Sequence, residues 1–332
     1  MKLSMQIKEK LKSSSHPSPI SDTPPPTPTA PPTIEAARVS QMDLDRECIL
    51  ERSRLVSIAP ARMPYIGFHG KYNKRWYVDI VSLPHNSVRT LISEVFGLLT
   101  SVHRLALDMT RADFDNLFLF LAEFQAYTAA LLAAEDRLVY PEVEAALRKR
   151  PDYAAHVLHP THRAERKNDI ARLLAALTDP TLHYLQAVAV ANTLQATVDE
   201  LSRQLLDYFS AQEAVLPRIF AHSMRGSREK NKMEAKLIKY FADAGHEFYY
   251  TALLALPLHS QEVRADFEER HFAKPARAHQ FRTAVKRVQD SLIAIPRAFD
   301  AAASDYETKF SMAAFLENYG KDRDVDATTT MI

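Results

Sequence analysis

Four polar side chains that are far apart in the chain, His85, Glu135, His162 and Glu213, stand on or beside apolar stripes with helical spacing. His85 shares the azimuth of Val88, Ile92 and Leu99. Glu135 lies between Leu131, one turn earlier, and Leu138, three residues later. His162 opens a third stripe eight residues before Ile170, and Glu213 flanks a fourth between Phe209 and Leu216. A carboxylate turned toward an apolar core is costly unless it is paired, hydrogen-bonded or metal-bound. Helical bundles build metal centres from inward imidazoles and carboxylates on several helices, and this mixture of nitrogen and oxygen donors suits iron, zinc or manganese. The competing reading of the same spacing is two exposed or salt-bridged glutamates and two capping histidines.

The elements that must carry these residues are helices. Val88, Leu91, Ile92, Val95, Leu99 and Val102 recur at i, i+3, i+4 and i+7, and a second stripe runs from Phe114 through Leu138 to a break or bend at Pro141. The third begins near Pro160, a favourable first helical residue, and ends at Asp179-Pro180. The fourth, from Leu194 to Ile219, is the most regular. Glycine is scarce, 6 of 332 residues, and no GxGxxG or GxxxxGK[ST] pattern is present, which removes dinucleotide and phosphate-loop folds. Scarce glycine also disfavours a fold made of many tight β-turns. The expectation is an all-α protein, an antiparallel up-and-down four-helix bundle followed by additional C-terminal helices.

Charge and composition bound the partners. Forty-two basic residues balance forty-one acidic ones, so no basic face for nucleic acid is implied. One cysteine, Cys48, excludes a disulfide framework and multi-cysteine zinc sites and fits a reducing, cytoplasmic setting. Leu117–Ala134 and Thr181–Val198 are apolar enough to be mistaken for membrane spans, but polar residues at helical spacing mark them as buried bundle helices. Ser13–Thr33 holds eight prolines and almost no apolar side chains, so it cannot offset its chain entropy by burial. The expected organisation is a disordered Pro/Ser/Thr-rich leader over 1–45 and a wrapping segment over 46–82. The bundle follows over 83–226, then a C-terminal helical region over 227–320 and a flexible tail over 321–332.

Local strings add a resemblance. Pro84-His85-Asn86-Ser87-Val88-Arg89, Glu135-Asp136-Arg137-Leu138-Val139-Tyr140-Pro141, His162 opening a helix, and Gln212-Glu213-Ala214-Val215-Leu216-Pro217 occur in that order. Together they resemble the hemerythrin-like, or HHE cation-binding, domains over roughly 80–222. The resemblance implies His85, Glu135, His162 and Glu213 as metal ligands. It also shows departures. The histidine expected one turn before Glu135 is Leu131, and the one on the fourth helix is Tyr208 or Phe209, with Gln212 as the partner if Tyr208 is the match. Two imidazoles are missing, so a complete di-iron centre is not expected. What survives is a site for one ion, iron or zinc, or no ion.

The remaining histidines do not form a site by spacing. His156, His159 and His162 are interrupted by Pro160, and His103 shares the azimuth of His85 five turns away. No serine or cysteine nucleophile is recognisable, and nothing points to an enzyme. Two functions are open at this stage. One is a hemerythrin-like protein with a reduced, mononuclear non-haem metal site, acting in iron or oxygen sensing or storage. The other is a metal-free bundle that serves as a scaffold for a protein partner.

Overall fold

In the computed structural model, residues 76–105, 108–149, 151, 159–224 and 226–309 are described. The leader, most of the wrapping segment and the tail lie outside them. Every regular element among the described residues is helical. The first, α1 (Trp76–Leu105), begins eight residues earlier than Pro84, so the irregular segment expected to reach residue 82 is helical from Trp76 onward. Ile80, Val81 and Leu83 are buried on its first turns, and this packing carries the helix through Pro84 despite the lost donor. The Ser87 hydroxyl donates to the Pro84 carbonyl at 2.6 Å.

A capping box at Thr110, with Asp113 three residues on, starts α2 (Arg111–Ala134). The chain does not stop at Pro141. A π turn (Glu135–Val139) widens the helix, and α3 (Tyr140–Lys149) continues it. Proline lacks an N–H and clashes with the carbonyl four residues back, and a turn of i→i+5 pairing just before it relieves both demands. This composite helix, Arg111–Lys149, is long and apolar enough to cross a membrane, but 56% of its most apolar window is buried within the fold. The second apolar stretch, 181–198, is divided between a 3₁₀ turn (Pro180–Tyr184) and the start of the next long helix.

Helix α4 (Pro160–Ala176) starts with Pro160 at its first position and His159 as its cap, the His159 side chain accepting from the Thr161 N–H. Helix α5 (Ala187–Ser223) runs through Pro217. Helix α1 packs chiefly on α5, which also receives α3 and α4, while α2 lies against α1 and α4. Leu91, Val95, Leu99, Leu121, Phe124, Leu194, Leu205 and Phe220 are almost wholly buried between them.

Beyond residue 226 the helices are α6 (Ser227–Ala244), α7 (Tyr249–Leu254), α8 (Gln261–His271), α9 (Pro275–Ser291) and a last one over 294–309. The apolar core continues across position 226, with α6 against α2 and α7 against α1. Phe272 and Phe281 stack at 4.6 Å, with Phe267 beside them. The sequence reads as one helix over Met233–Leu256, but the chain breaks at Gly245–Phe248. Glu247 (φ 49, ψ 49) and Phe248 (φ 66, ψ 12) are both left-handed, a conformation non-glycine residues seldom adopt.

Gly245 makes this break possible by close approach. A Cβ there would lie 2.6 Å from the Tyr250 backbone nitrogen, whereas a Cβ on Gly97, inside α1, would meet nothing within 4 Å. Gly245→Ala is therefore expected to destabilise by ~1–3 kcal/mol through forced backbone displacement. Gly97→Ala should stabilise by about 0.5–1 kcal/mol through lower chain entropy in the unfolded state. Denaturant midpoints of the two variants should move in opposite directions.

Candidate functional site

Three of the four expected residues meet. His85 on α1 and Glu135 at the head of the π turn are each 2% exposed, and Glu213 on α5 is partly buried. His85 sits between the two carboxylates: its Nδ1 is 2.8 Å from Glu213 Oε1 and its Nε2 is 3.4 Å from Glu135 Oε1. Its ring stacks on Phe209 at 4.1 Å and 11°, which fixes the plane in which both nitrogens point. The fourth residue does not join them. His162 is exposed on the first turn of α4 and pairs along the surface with Glu165 at 3.3 Å.

The place expected for His162 is taken by Lys167 of the same helix. Its ammonium lies 3.2 Å from Glu135 Oε2, donates to the Leu132 carbonyl at 2.7 Å and reaches Asp136 at 2.8 Å. Azimuth explains the exchange: at about 100° per residue, Lys167 falls within about 20° of the buried Leu174, whereas His162 falls about 120° away. Arg163, on the same face, lays its guanidinium over the Tyr140 ring at 3.5 Å.

The other side of the network is held by Arg89, one turn after His85. It grips Glu213 with both terminal nitrogens, at 2.8 and 3.0 Å, and also donates to Asn86 Oδ1 at 2.8 Å. Two-point guanidinium–carboxylate pairs are among the strongest polar contacts in proteins. Glu135 Oε2 in addition accepts from the Tyr208 hydroxyl at 2.6 Å and from Gln212 Nε2 at 3.4 Å. Tyr208 is itself hydrogen-bonded to Tyr140. Sequence reasoning took Tyr208 and Gln212 as counterparts of missing ligands, and it gave Arg89 and Lys167 no part in the site. The signal was present, since Arg89 lies four residues from His85 and Lys167 three from Ile170.

The electrostatics follow from this packing. Burial pushes the His85 imidazole down, but hydrogen bonds from both carboxylates outweigh it and raise its pKa above the usual 6.5. Burial pushes Glu135 up, and His85, Lys167 and Tyr208 reverse that, so its pKa is lowered. Glu213 is likewise opposed by burial, yet His85 and Arg89 draw it down to about 2. Burial and the Glu135 charge push the Tyr208 phenol far upward, so it stays protonated. An imidazole donates from both nitrogens only as the cation. Four cations, His85, Arg89, Lys167 and Arg163, thus face three carboxylates, Glu135, Glu213 and Asp136.

As placed, these residues engage one another rather than a shared ion. Ligation needs the lone pair of a neutral imidazole, and both ring nitrogens of His85 are committed to carboxylates. Glu135 and Glu213 approach opposite edges of the ring rather than one shared point. Among the described residues, no three His, Cys, Asp or Glu side chains form a group that could hold a metal. Of the four expected ligands, His85, Glu135 and Glu213 meet in an ion-pair network, and His162 stands on the surface.

No protein-family model matches this sequence, and no curated protein or solved structure is similar to it.

The pKa directions give the pH dependence its sign. The His85 contribution is complete below its unfolded value of about 6.5 and is lost as pH rises through the raised folded value. The Glu213 contribution is present above about 4.5 and is lost as pH falls toward about 2. Thermal stability should peak between these limits. In His85→Gln the loss on the alkaline side should vanish, with an overall cost of ~3–5 kcal/mol because two carboxylates lose their shared partner. Melting curves from pH 3 to about 9 on both proteins measure this.

Proposed function

We propose that this chain is a metal-free helical scaffold for a protein partner. In this reading residues 83–226 form an up-and-down four-helix bundle of hemerythrin-like shape, and an ion-pair network lies where that family carries its metal. The observation that carries the reading is the doubly engaged His85 imidazole, with Arg89 and Lys167 supplying the positive charge opposite Glu213 and Glu135. Leu131 and Phe209 support it, because each packs apolar volume at a position where the family would place a ligand. The sequence resemblance supports the bundle, and the helix order α1, α2–α3, α4, α5 agrees with it.

A scaffold acts through its surface. Tyr184 and Leu185, at the end of the 3₁₀ turn, are 89% and 43% exposed and offer apolar contact area there. The single cysteine is compatible with work in the cytoplasm. The convergence of His85, Glu135 and Glu213 also favours a second reading, a site for one iron or zinc ion in sensing or storage. That reading requires His85 to lose a proton and Arg89 to release Glu213.

The two readings separate by metal analysis of the full chain after loading with iron(II) and with zinc(II). The scaffold reading predicts less than about a tenth of an equivalent bound, and a melting temperature unmoved by chelator. Stoichiometric metal, together with a fall of several degrees on chelation, would establish the ion site instead, since a ligand that binds only the native state stabilises it by mass action.

A further inference from the structure

Away from the ion-pair network, α2, the 245–250 turn and α9 enclose a half-open cavity of about 360 Å³. This is within the size range of small-ligand sites, about 300–1,000 Å³, which are mostly apolar with a few placed polar groups. Leu119, Leu292 and Ile295 supply apolar wall, and Tyr249 and Tyr250 supply aromatic wall. Leu119 stands at the mouth, 53% exposed, a large apolar side chain left facing water.

One group in this wall lacks a direct partner. The Glu123 carboxylate accepts no hydrogen bond and makes no ion pair among the described residues, although about half of it is withdrawn from water. Burial leaves its pKa raised, with only a longer-range attraction to Arg287 against that. Arg287 is already engaged: it donates to Glu247 at 3.3 Å and lies over the Tyr249 ring at 5.8 Å. His246, a further lining residue, is on the exposed rim. A partly desolvated carboxylate flanked by aromatic rings is the combination that attracts an organic cation, through charge and through the ring faces.

The aromatic wall is held by a strained turn. Glu247 and Phe248 are consecutive left-handed residues, and such strained conformations persist only where surroundings enforce them. Enforcement comes from Phe248, whose ring meets Phe272 edge-on at 5.6 Å, and from Gly245, which admits the Tyr250 backbone. Tyr250 is braced from behind by Tyr127 at 5.4 Å, and Tyr127 is hydrogen-bonded to Ser87 at 2.6 Å. Tyr249 is backed by the Arg287 guanidinium, 5.8 Å from its ring centre. The wall is therefore preformed, with little left to order on binding.

We propose that this cavity is a binding site for a small organic amine, with Glu123 receiving the ammonium group, the Tyr249 and Tyr250 rings flanking it, and Leu119, Leu292 and Ile295 covering an apolar body. The site is independent of the His85 network and of whether that network admits a metal.

The test uses the full chain and three probes of matched shape and different charge: 2-phenylethylamine, 2-phenylethanol and 3-phenylpropanoate. Calorimetric titration should show the amine binding at least about tenfold more tightly than either of the others. Glu123→Gln should bring the amine down to the alcohol's affinity, and Leu119→Trp, which fills the mouth, should weaken the amine by a similar factor. Circular dichroism melts establish that each variant is folded. Should Glu123→Gln fail to fold, the probe order in the parent protein and the loss in Leu119→Trp carry the decision. Preference for the carboxylate, equal binding of all three, no binding of the amine, or an amine affinity unchanged in the folded variants would each overturn the assignment.

Discussion

A protonated imidazole held between two carboxylates, out of water, is the constraint around which the first five helices are arranged. His85 comes from α1, Glu135 from the turn between α2 and α3, and Glu213 from α5; Lys167 brings in α4. Buried ion pairs are weak evidence of net stabilisation, because desolvation opposes their attraction. Their effect on register is sharper. If α5 slipped by one residue, Gln212 or Ala214 would stand where Glu213 stands. Arg89 would then be left with buried, unmatched charge, and His85 with Glu135 alone. Apolar stripes tolerate such slips more easily than this network does.

The π turn is the local device that makes the arrangement possible. In it the Tyr140 N–H bonds to the Glu135 carbonyl five residues back, so these two residues come onto nearly the same azimuth. Both then reach Tyr208 on α5: Glu135 accepts its hydroxyl proton and Tyr140 is hydrogen-bonded to it. An unbroken α-helix would rotate Tyr140 away by about another 100°. Pro141 fits in the same place because the widened turn no longer needs its missing N–H. A single inserted residue thus resolves a backbone problem and orients a buried acid.

Much of this was readable from spacing alone. The stripes of α1, α2 and α5 gave the helices and their inward faces, and Glu135 announced itself as an acid on an apolar face. Three features were hidden for physical reasons. Trp76–Leu83 reads as irregular because Pro84 is a normal helix start, and only tertiary packing of Ile80 and Val81 extends the helix past it. The break at Gly245–Phe248 interrupts a continuous apolar period without a proline, and it depends on a close approach by Tyr250, a residue five places on. His162 was favoured over Lys167 because imidazole is the better ligand type, although Lys167 has the better azimuth. Geometry, rather than ligand chemistry, decides which residue of α4 reaches Glu135.

Charge balance shows why the same donors can build a metal centre or replace one. With His85 protonated, each of the three carboxylates already meets at least one tethered cation within the protein, and Asp136 meets two, Lys167 and Arg163. A divalent ion entering between them would first need the His85 proton expelled, which removes one positive charge while adding two. The surplus would have to be relieved by moving Arg89 or Lys167 out to water, and Lys167 is tied to the Leu132 carbonyl as well as to two carboxylates. The raised imidazole pKa and the lowered carboxylate values are two expressions of this same closure. Each group is held in its charged form by the others, and a competing cation must break the set rather than one contact. A mobile ion and tethered cations are thus alternative solutions to one problem, the neutralisation of acids inside a helical core.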